Sequence, residues 1–178
     1  ARLSARPSAR PALATLIDIL LAAEANGTIH IDLFEAVAPA HADRIAGLAE
    51  SVAYENVVFH RVIEGFMAQT GDVQYGKMGS DLSGAGRGGS EQPDLPAEFS
   101  DVPFDRGVVG MARAQSPNSA NSQFFIMFNE GYFLNGQYTV VGRVTDGLDV
   151  LDAIKRGDGP NGAVIGQPDV MQTVRVTE

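Results

Sequence analysis

Residues 57 to 70 read VVFHRVIEGFMAQT, and how this stretch divides decides what the rest of the chain can be. Two short apolar runs, Val57 to Ile63 and Phe66 to Thr70, lie either side of a turn at Gly65. Side chains of one parity share a face of a sheet. Arg61, Met67 and Gln69 share a parity, which would set a cation and an amide beside a thioether, although the turn between them leaves that sharing open. By this reading alone, Arg61 could equally be a surface ion-pair partner, and Phe66, Met67 and Phe125 plain core.

Outward from there, the same kind of short run recurs. Thr28 to Phe34 (TIHIDLF) alternates, with Ile29, Ile31 and Leu33 on one face and His30 and Asp32 on the other, as a half-buried strand does. Asn26-Gly27 precedes it and Thr15 to Leu21 precedes that, so the chain opens with a β-hairpin. Further runs at Gly107 to Met111, Gln123 to Phe128, Thr139 to Val144 and Thr173 to Thr177 bring the candidate strands to eight. Two helices are predicted. Pro39 to Val52 has proline in its first turn and an apolar stripe of Ile45, Leu48, Ala49 and Val52. Leu148 to Arg156 has an inner face of Leu148, Leu151 and Ile154, with Gly157 as its stop. Helices this sparse do not make βαβ units. The pattern predicts a mainly β fold: a closed eight-stranded antiparallel barrel capped by two α-helices.

Composition narrows the function. The 178 residues fit one domain. Acids outnumber bases, for a net charge of −9, which argues against nucleic acid and against anionic membranes as partners. No run is long and apolar enough for a transmembrane helix. There is no cysteine, and His30, His41 and His60 lie apart without a metal-ligand spacing, so neither a metal nor another cofactor is expected. Residues 1–14 carry Arg2, Arg6 and Arg10, no acid and two helix-breaking prolines. They are expected to be a disordered tail or processing remnant, with residues 15–178 forming the domain. Gly84, Gly86 and Gly89 spell a dinucleotide-type glycine pattern, but the residues after it (Glu91, Pro93, Asp94, Pro96) do not open the required helix. It is better read as part of a long glycine-rich loop over residues 71–99, and loops of that length are usually functional or mobile. Asn26-Gly27-Thr28 matches a glycosylation signal, which its turn role explains better.

Three blocks change the odds on Arg61. FHRVIEGFMAQTGD spans residues 59–72, GVVGMARAQSPNSANSQFFIMF spans 107–128, and FLNGQYTVVGRV spans 133–144. Together they closely resemble the cyclophilin family of peptidyl-prolyl cis-trans isomerases, and the likeness runs from about Thr15 to Thr177. The resemblance implies Arg61 as the catalytic arginine, with Gln69 and Tyr138 beside it. It implies that Phe66, Met67, Phe125 and Leu134 line a proline pocket and that Phe133 also meets the substrate. Gln69 and Gln123 would hold the substrate backbone and orient Arg61, and Ala112 and Arg113 would meet the residues before the proline.

Two departures matter. Arg113 stands where the family often has asparagine, which adds positive charge to the rim. Phe133 and Tyr138 stand where animal members often have tryptophan and histidine, so the chain looks bacterial and cyclosporin-like inhibitors are expected to bind weakly.

The chemistry suits these residue types. An X-Pro bond turns slowly because amide resonance sets a barrier of about 18–20 kcal/mol. No bond is broken, so no nucleophile or metal is needed; the catalyst must favour the twisted amide. An arginine N–H can donate to the prolyl nitrogen as its lone pair reappears. The partners implied are Pro-containing peptides and unfolded proteins, acted on by a monomer. A module that binds proline segments without turnover, and a hollow small-ligand barrel, are the competing readings; the many large apolar residues speak against the second. A cytoplasmic location is expected, or a periplasmic one if the N-terminus is a processed leader.

Overall fold

The computed structural model describes residues 15–177; the expected tail, 1–14, lies outside them. The strands are β1 (Thr15–Ala22), β2 (Gly27–Leu33), β3 (Val57–Val58), β4 (Arg61–Ile63), β5 (Met67–Thr70), β6 (Val108–Met111), β7 (Phe124–Met127), β8 (Val140–Asp146) and β9 (Val170–Thr177). Helix α1 (Pro39–Glu50) follows β2, and α2 (Leu148–Asp152) follows β8. The strands form one antiparallel sheet in the order β3-β9-β1-β2-β8-β6-β7-β5-β4. It curls into a half-barrel.

The expectation of a closed, eight-stranded barrel is therefore corrected on both counts. The run Val57 to Ile63 is two strands, not one. Val57 and Val58 pair with β9, whereas Arg61 to Ile63 pair with β5 at the other end of the sheet. Phe59 and His60 carry the chain between the two edges, and no ladder joins β3 to β4. Instead, the Phe59 N–H donates to Asp169 and the Val164 N–H to the His60 carbonyl. The last strand also begins earlier than predicted, at Val170.

The interior is filled. Ile17, Ile19 and Leu21 of β1 meet Ile29, Ile31 and Leu33 of β2, all buried, as their period of two requires. The opposite parity of β5, β6 and β7 builds a second buried cluster from Met67, Val108, Phe125 and Met127, joined by Phe104, Leu134 and Val140. β7 is thus buried on both faces, with Phe124 and Ile126 in the first cluster and Phe125 and Met127 in the second. Gly110 packs closely against the second cluster. A Cβ there would lie 2.5 Å from the Phe125 ring and 2.7 Å from Phe104, two rings that stack 5.8 Å apart.

Both helices stop short of their predicted ends. α1 has no side-chain cap from Ala38. Glu98 supplies one from a distance, its carboxylate accepting the Ala40 and His41 N–H groups, where the helix dipole favours an anion. Val52 lies beyond α1 at φ 58° and is exposed, so it leaves the predicted stripe. After Asp152 the chain leaves α2: the Lys155 N–H goes to Asp169, and Arg156 folds back onto the Asp152 and Ile154 carbonyls. Leu151 and Ile154 remain buried, as the pattern predicted.

Candidate active site

Strand register assembles the centre of the site. Arg61 of β4 is paired with Gln69 of β5, Gln69 with Phe125 of β7, and Phe125 with Gly110 of β6. Cross-strand partners point to the same face, so these side chains form a row on the face turned away from the principal core. Ile63, Met67 and Met127 form a parallel row. The shared parity of Arg61, Met67 and Gln69 is thus realised.

A groove of about 640 Å³ opens over these rows. Its apolar side is made by Phe66, Met67, Phe125 and Leu134, with Phe133 at the mouth. Met67, Phe125 and Leu134 belong to the second buried cluster, so the pocket floor is rigid core. Phe133 is 72% exposed and its ring tilts against Phe66 at 5.5 Å. Ala112, Arg113 and Tyr138 form another wall, and Arg61 and Gln69 the polar end. Of the eleven residues singled out from sequence, only Gln123 does not line this groove; it lines a second, adjoining one.

A hydrogen-bond chain fixes Arg61. Its Nη1 donates to Gln69 Oε1 at 3.0 Å, Gln69 Nε2 donates to Gln123 Oε1 at 2.9 Å, and Gln123 Nε2 donates to the Gly88 carbonyl at 2.9 Å. Gln123 therefore reaches Arg61 only through Gln69. From the other side, Arg61 Nε donates to the Asn161 carbonyl at 2.9 Å and Nη2 to Asn161 Oδ1 at 3.2 Å. The guanidinium is half-buried, and desolvation pulls its pKa below the ordinary value, partly offset by Tyr138. Tyr138 is held as a ring: Phe125 meets it edge-on at 5.9 Å and the Arg113 guanidinium lies over it at 4.5 Å. Its hydroxyl makes no hydrogen bond to another described residue, so the structure gives it contact but no polar partner.

Three further residues were not singled out from sequence. Asn161 is one; Asn161-Gly162 is a readable turn pair, and Asn161 takes φ 57°. His60 lines the groove, its ring nitrogens buried without a partner among the described residues, and burial pushes its pKa down to about 4. Asp72, fully buried, explains the glycine-rich loop. Its Oδ1 accepts the Gln74 and Tyr75 N–H groups at 3.0 and 2.8 Å, and its Oδ2 those of Gly86 and Gly88 at 2.8 and 2.9 Å. A Cβ on Gly88 would lie 2.4 Å from that carboxylate, so only glycine lets the loop close on it. No group of three or more potential metal ligands occurs among the described residues.

A curled antiparallel sheet with a tethered arginine beside an apolar cleft agrees with what the resemblance to the cyclophilins implies. The family described as cyclophilin type peptidyl-prolyl cis-trans isomerase/CLD matches residues 17–177. A probable peptidyl-prolyl cis-trans isomerase of Brucella suis is 56% identical over 146 residues, 81% of this chain and 74% of that protein. The human peptidyl-prolyl cis-trans isomerase-like 3 is 37% identical over 134 residues, 73% of this chain and 77% of its own length. Among solved structures, a Cryptosporidium parvum cyclophilin-type isomerase superposes with a TM-score of 0.79 at 25% identity, covering 93% of this chain and 98% of its own. The same protein has been solved in the presence of the dipeptide Ala-Pro, with a TM-score of 0.78 at 26% identity, covering 92% and 99%. The chain belongs to the cyclophilin-type peptidyl-prolyl cis-trans isomerase family, and is an isomerase.

Proposed function

We propose that this isomerase turns X-Pro bonds in unfolded or flexible chains, as a folding catalyst, and that Arg61 is its catalytic residue. The observation that carries this is the donor count at Arg61. A guanidinium has five N–H groups. Nε, one Nη1 proton and one Nη2 proton are used on Asn161 and Gln69, which leaves one proton on each terminal nitrogen beside the apolar pocket.

The prolyl ring sits against Phe66, Met67, Phe125 and Leu134. Ala112, Arg113 and Gln123 hold the residues before it, so one side of the bond is gripped while the other rotates. In the planar amide the prolyl nitrogen has no lone pair to offer. In the twisted amide it does, and a free Arg61 N–H donates to it. The interaction exists only near the transition state and so speeds the reaction rather than merely tightening binding. Five decades of acceleration require about 7 kcal/mol at ~1.4 kcal/mol per decade. A preorganised charged donor contributes roughly 3–4 kcal/mol, and the restriction of the gripped substrate supplies the remainder. Arginine is already fixed by three bonds, so little reorganisation is spent at the moment of twisting.

The test is a protease-coupled or NMR exchange assay on an Ala-Pro peptide, together with refolding of a protein limited by proline isomerisation. Both are expected to accelerate, with a rate flat around neutral pH because arginine does not titrate there. Tight peptide binding without acceleration would make the protein a proline-binding module instead.

A further inference from the structure

We propose that the second groove selects an acidic side chain two or three residues before the isomerised proline. This rests on the isomerase reading of the first groove, which orients the chain.

The second groove, about 420 Å³, adjoins the first and shares Gln69, Gly86, Arg87, Ala112 and Arg113 with it. A substrate passing along Ala112 and Arg113 must run past it. Its wall is polar, with Ser90, Ser119 and Asn121, but their donors are spent within the protein, on Asn121 Oδ1, on the Ser116 carbonyl, and on the Gln92 carbonyl and Asp94, so an anion seated there would be met by the arginines. Among its lining residues the charged groups are Arg87 and Arg113 and one carboxylate, Asp94, which accepts from Asn121 Nδ2 at 3.0 Å; the Asp72 carboxylate lies behind the lining, taken up by four main-chain N–H groups. The ion pairs among the described residues are His30–Asp18, His41–Glu98, Arg106–Asp152 and Arg156–Glu64. None involves Arg61, Arg87 or Arg113.

Arg113 is held in place without being neutralised. It donates to the Gln137 carbonyl from Nε and Nη2, to the carbonyls of Ala114 and Gln115 from Nη1, and lies over Tyr138. Every one of those partners is uncharged. The Arg87 side chain makes no hydrogen bond to another described residue. On a chain of net charge −9, this is a local positive site. At physiological ionic strength the distant acids are screened beyond ~8 Å, while a residue seated in the groove meets the arginines directly. Local complementarity of this kind sets specificity more than raw affinity.

The test uses a neutral Ala-Pro parent peptide and versions with Glu, Gln or Lys at the second or third position before proline, or with Glu two positions after it. Both kcat/KM and binding by NMR titration are measured at physiological salt. Glu before proline is expected to exceed Gln about fivefold and Lys by more, and Glu after proline to give no gain. Arg87→Gln should reduce the Glu-to-Gln ratio towards one, and Arg87→Glu should reverse the order of Glu and Lys. Equal values for Glu, Gln and Lys in the wild type, or Glu-to-Gln and Glu-to-Lys ratios untouched in both variants, would overturn the proposal without bearing on the isomerase reading. Failure to turn over the parent would count against the isomerase reading instead, and the binding ratios would still decide the selectivity.

Discussion

Replacing Asp72 by asparagine is the sharpest test of what holds the active-site loop. The carboxylate accepts four main-chain N–H groups, two at each oxygen. An amide keeps one oxygen and turns an NH₂ towards the other pair, so whichever way it sits, two part-buried N–H groups lose their acceptor. Hydrogen bonds to a charged group contribute about 1.5–3 kcal/mol each, and two of the four are lost. Asp72→Asn should therefore destabilise by about 3–5 kcal/mol, a large share of the 5–15 kcal/mol typical of a folded domain. For a chain of this size that is a fall in Tm of about 10 °C. Urea denaturation gives the free energy, and hydrogen exchange reads the loop: Gly86 and Gly88 should lose protection. Activity should fall too, because Gly86 and Arg87 line the groove and the Gly88 carbonyl anchors Gln123. A Tm within 2 °C of the wild type, with Gly86 and Gly88 still protected, would refute the view that this carboxylate organises the loop.

Asn161→Gly keeps the carbonyl that holds Arg61 and the left-handed backbone but removes Oδ1, so kcat/KM should fall about threefold to tenfold with peptide affinity and Tm nearly unchanged; an unchanged kcat/KM would remove Asn161 from the positioning of Arg61. His60 is pushed down to about 4 by burial, opposed by Asp72 and reinforced by Arg61. The unfolded chain binds a proton below about 6.5 while the folded chain refuses it until about 4, so stability is complete above that window and is lost as pH falls through it, by about 2 kcal/mol at pH 5. His60→Leu should remove this loss, making the variant relatively more stable at pH 5 than at pH 7; parallel stability profiles would show that His60 does not titrate as described. Phe133 offers no N–H at the mouth of the groove, so Phe133→Trp should tighten inhibition by cyclosporin with little effect on peptide turnover, whereas equal inhibition would place the inhibitor elsewhere.

Local pattern carried much of this structure. The alternation of β2, the opening hairpin and most of the α1 stripe are short-range features and are realised, although the hairpin turns over residues 23–26 with Gly27 already paired in β2, and Val52 leaves the stripe. What the pattern could not reveal is where a continuous run changes partners. Val57 to Ile63 is uniformly strand-like, yet its two ends pair at opposite edges of the sheet, a choice made by β9 and β5 far away in sequence. The early end of α2 has the same kind of cause: Asp169, which takes the Lys155 N–H, lies 14 residues further along the chain. At the site, parity placed Arg61 and Gln69 together. Asn161 has no counterpart in the motifs around Arg61, because it is 100 residues away and acts partly through its main chain, which no side-chain motif records. The glycine-rich loop was read as composition, whereas Asp72 makes it a specific fold.

The central claim is that Arg61 acts on the twisted amide rather than on binding. NMR line-shape analysis of an Ala-Pro peptide, with Arg61→Ala and Arg61→Lys beside the wild type and circular dichroism as the folding control, measures affinity and exchange rate together. Arg61→Ala removes the donor but leaves Phe66, Met67, Phe125 and Leu134 in place. The bound-state exchange rate should fall by two to three decades, about 3–4 kcal/mol at ~1.4 kcal/mol per decade, with Kd changed far less. Arg61→Lys should rescue poorly, because an ammonium cannot bond Asn161 and Gln69 and still present a free N–H in the same geometry. A folded Arg61→Ala protein that exchanges its bound peptide near the wild-type rate would contradict the account.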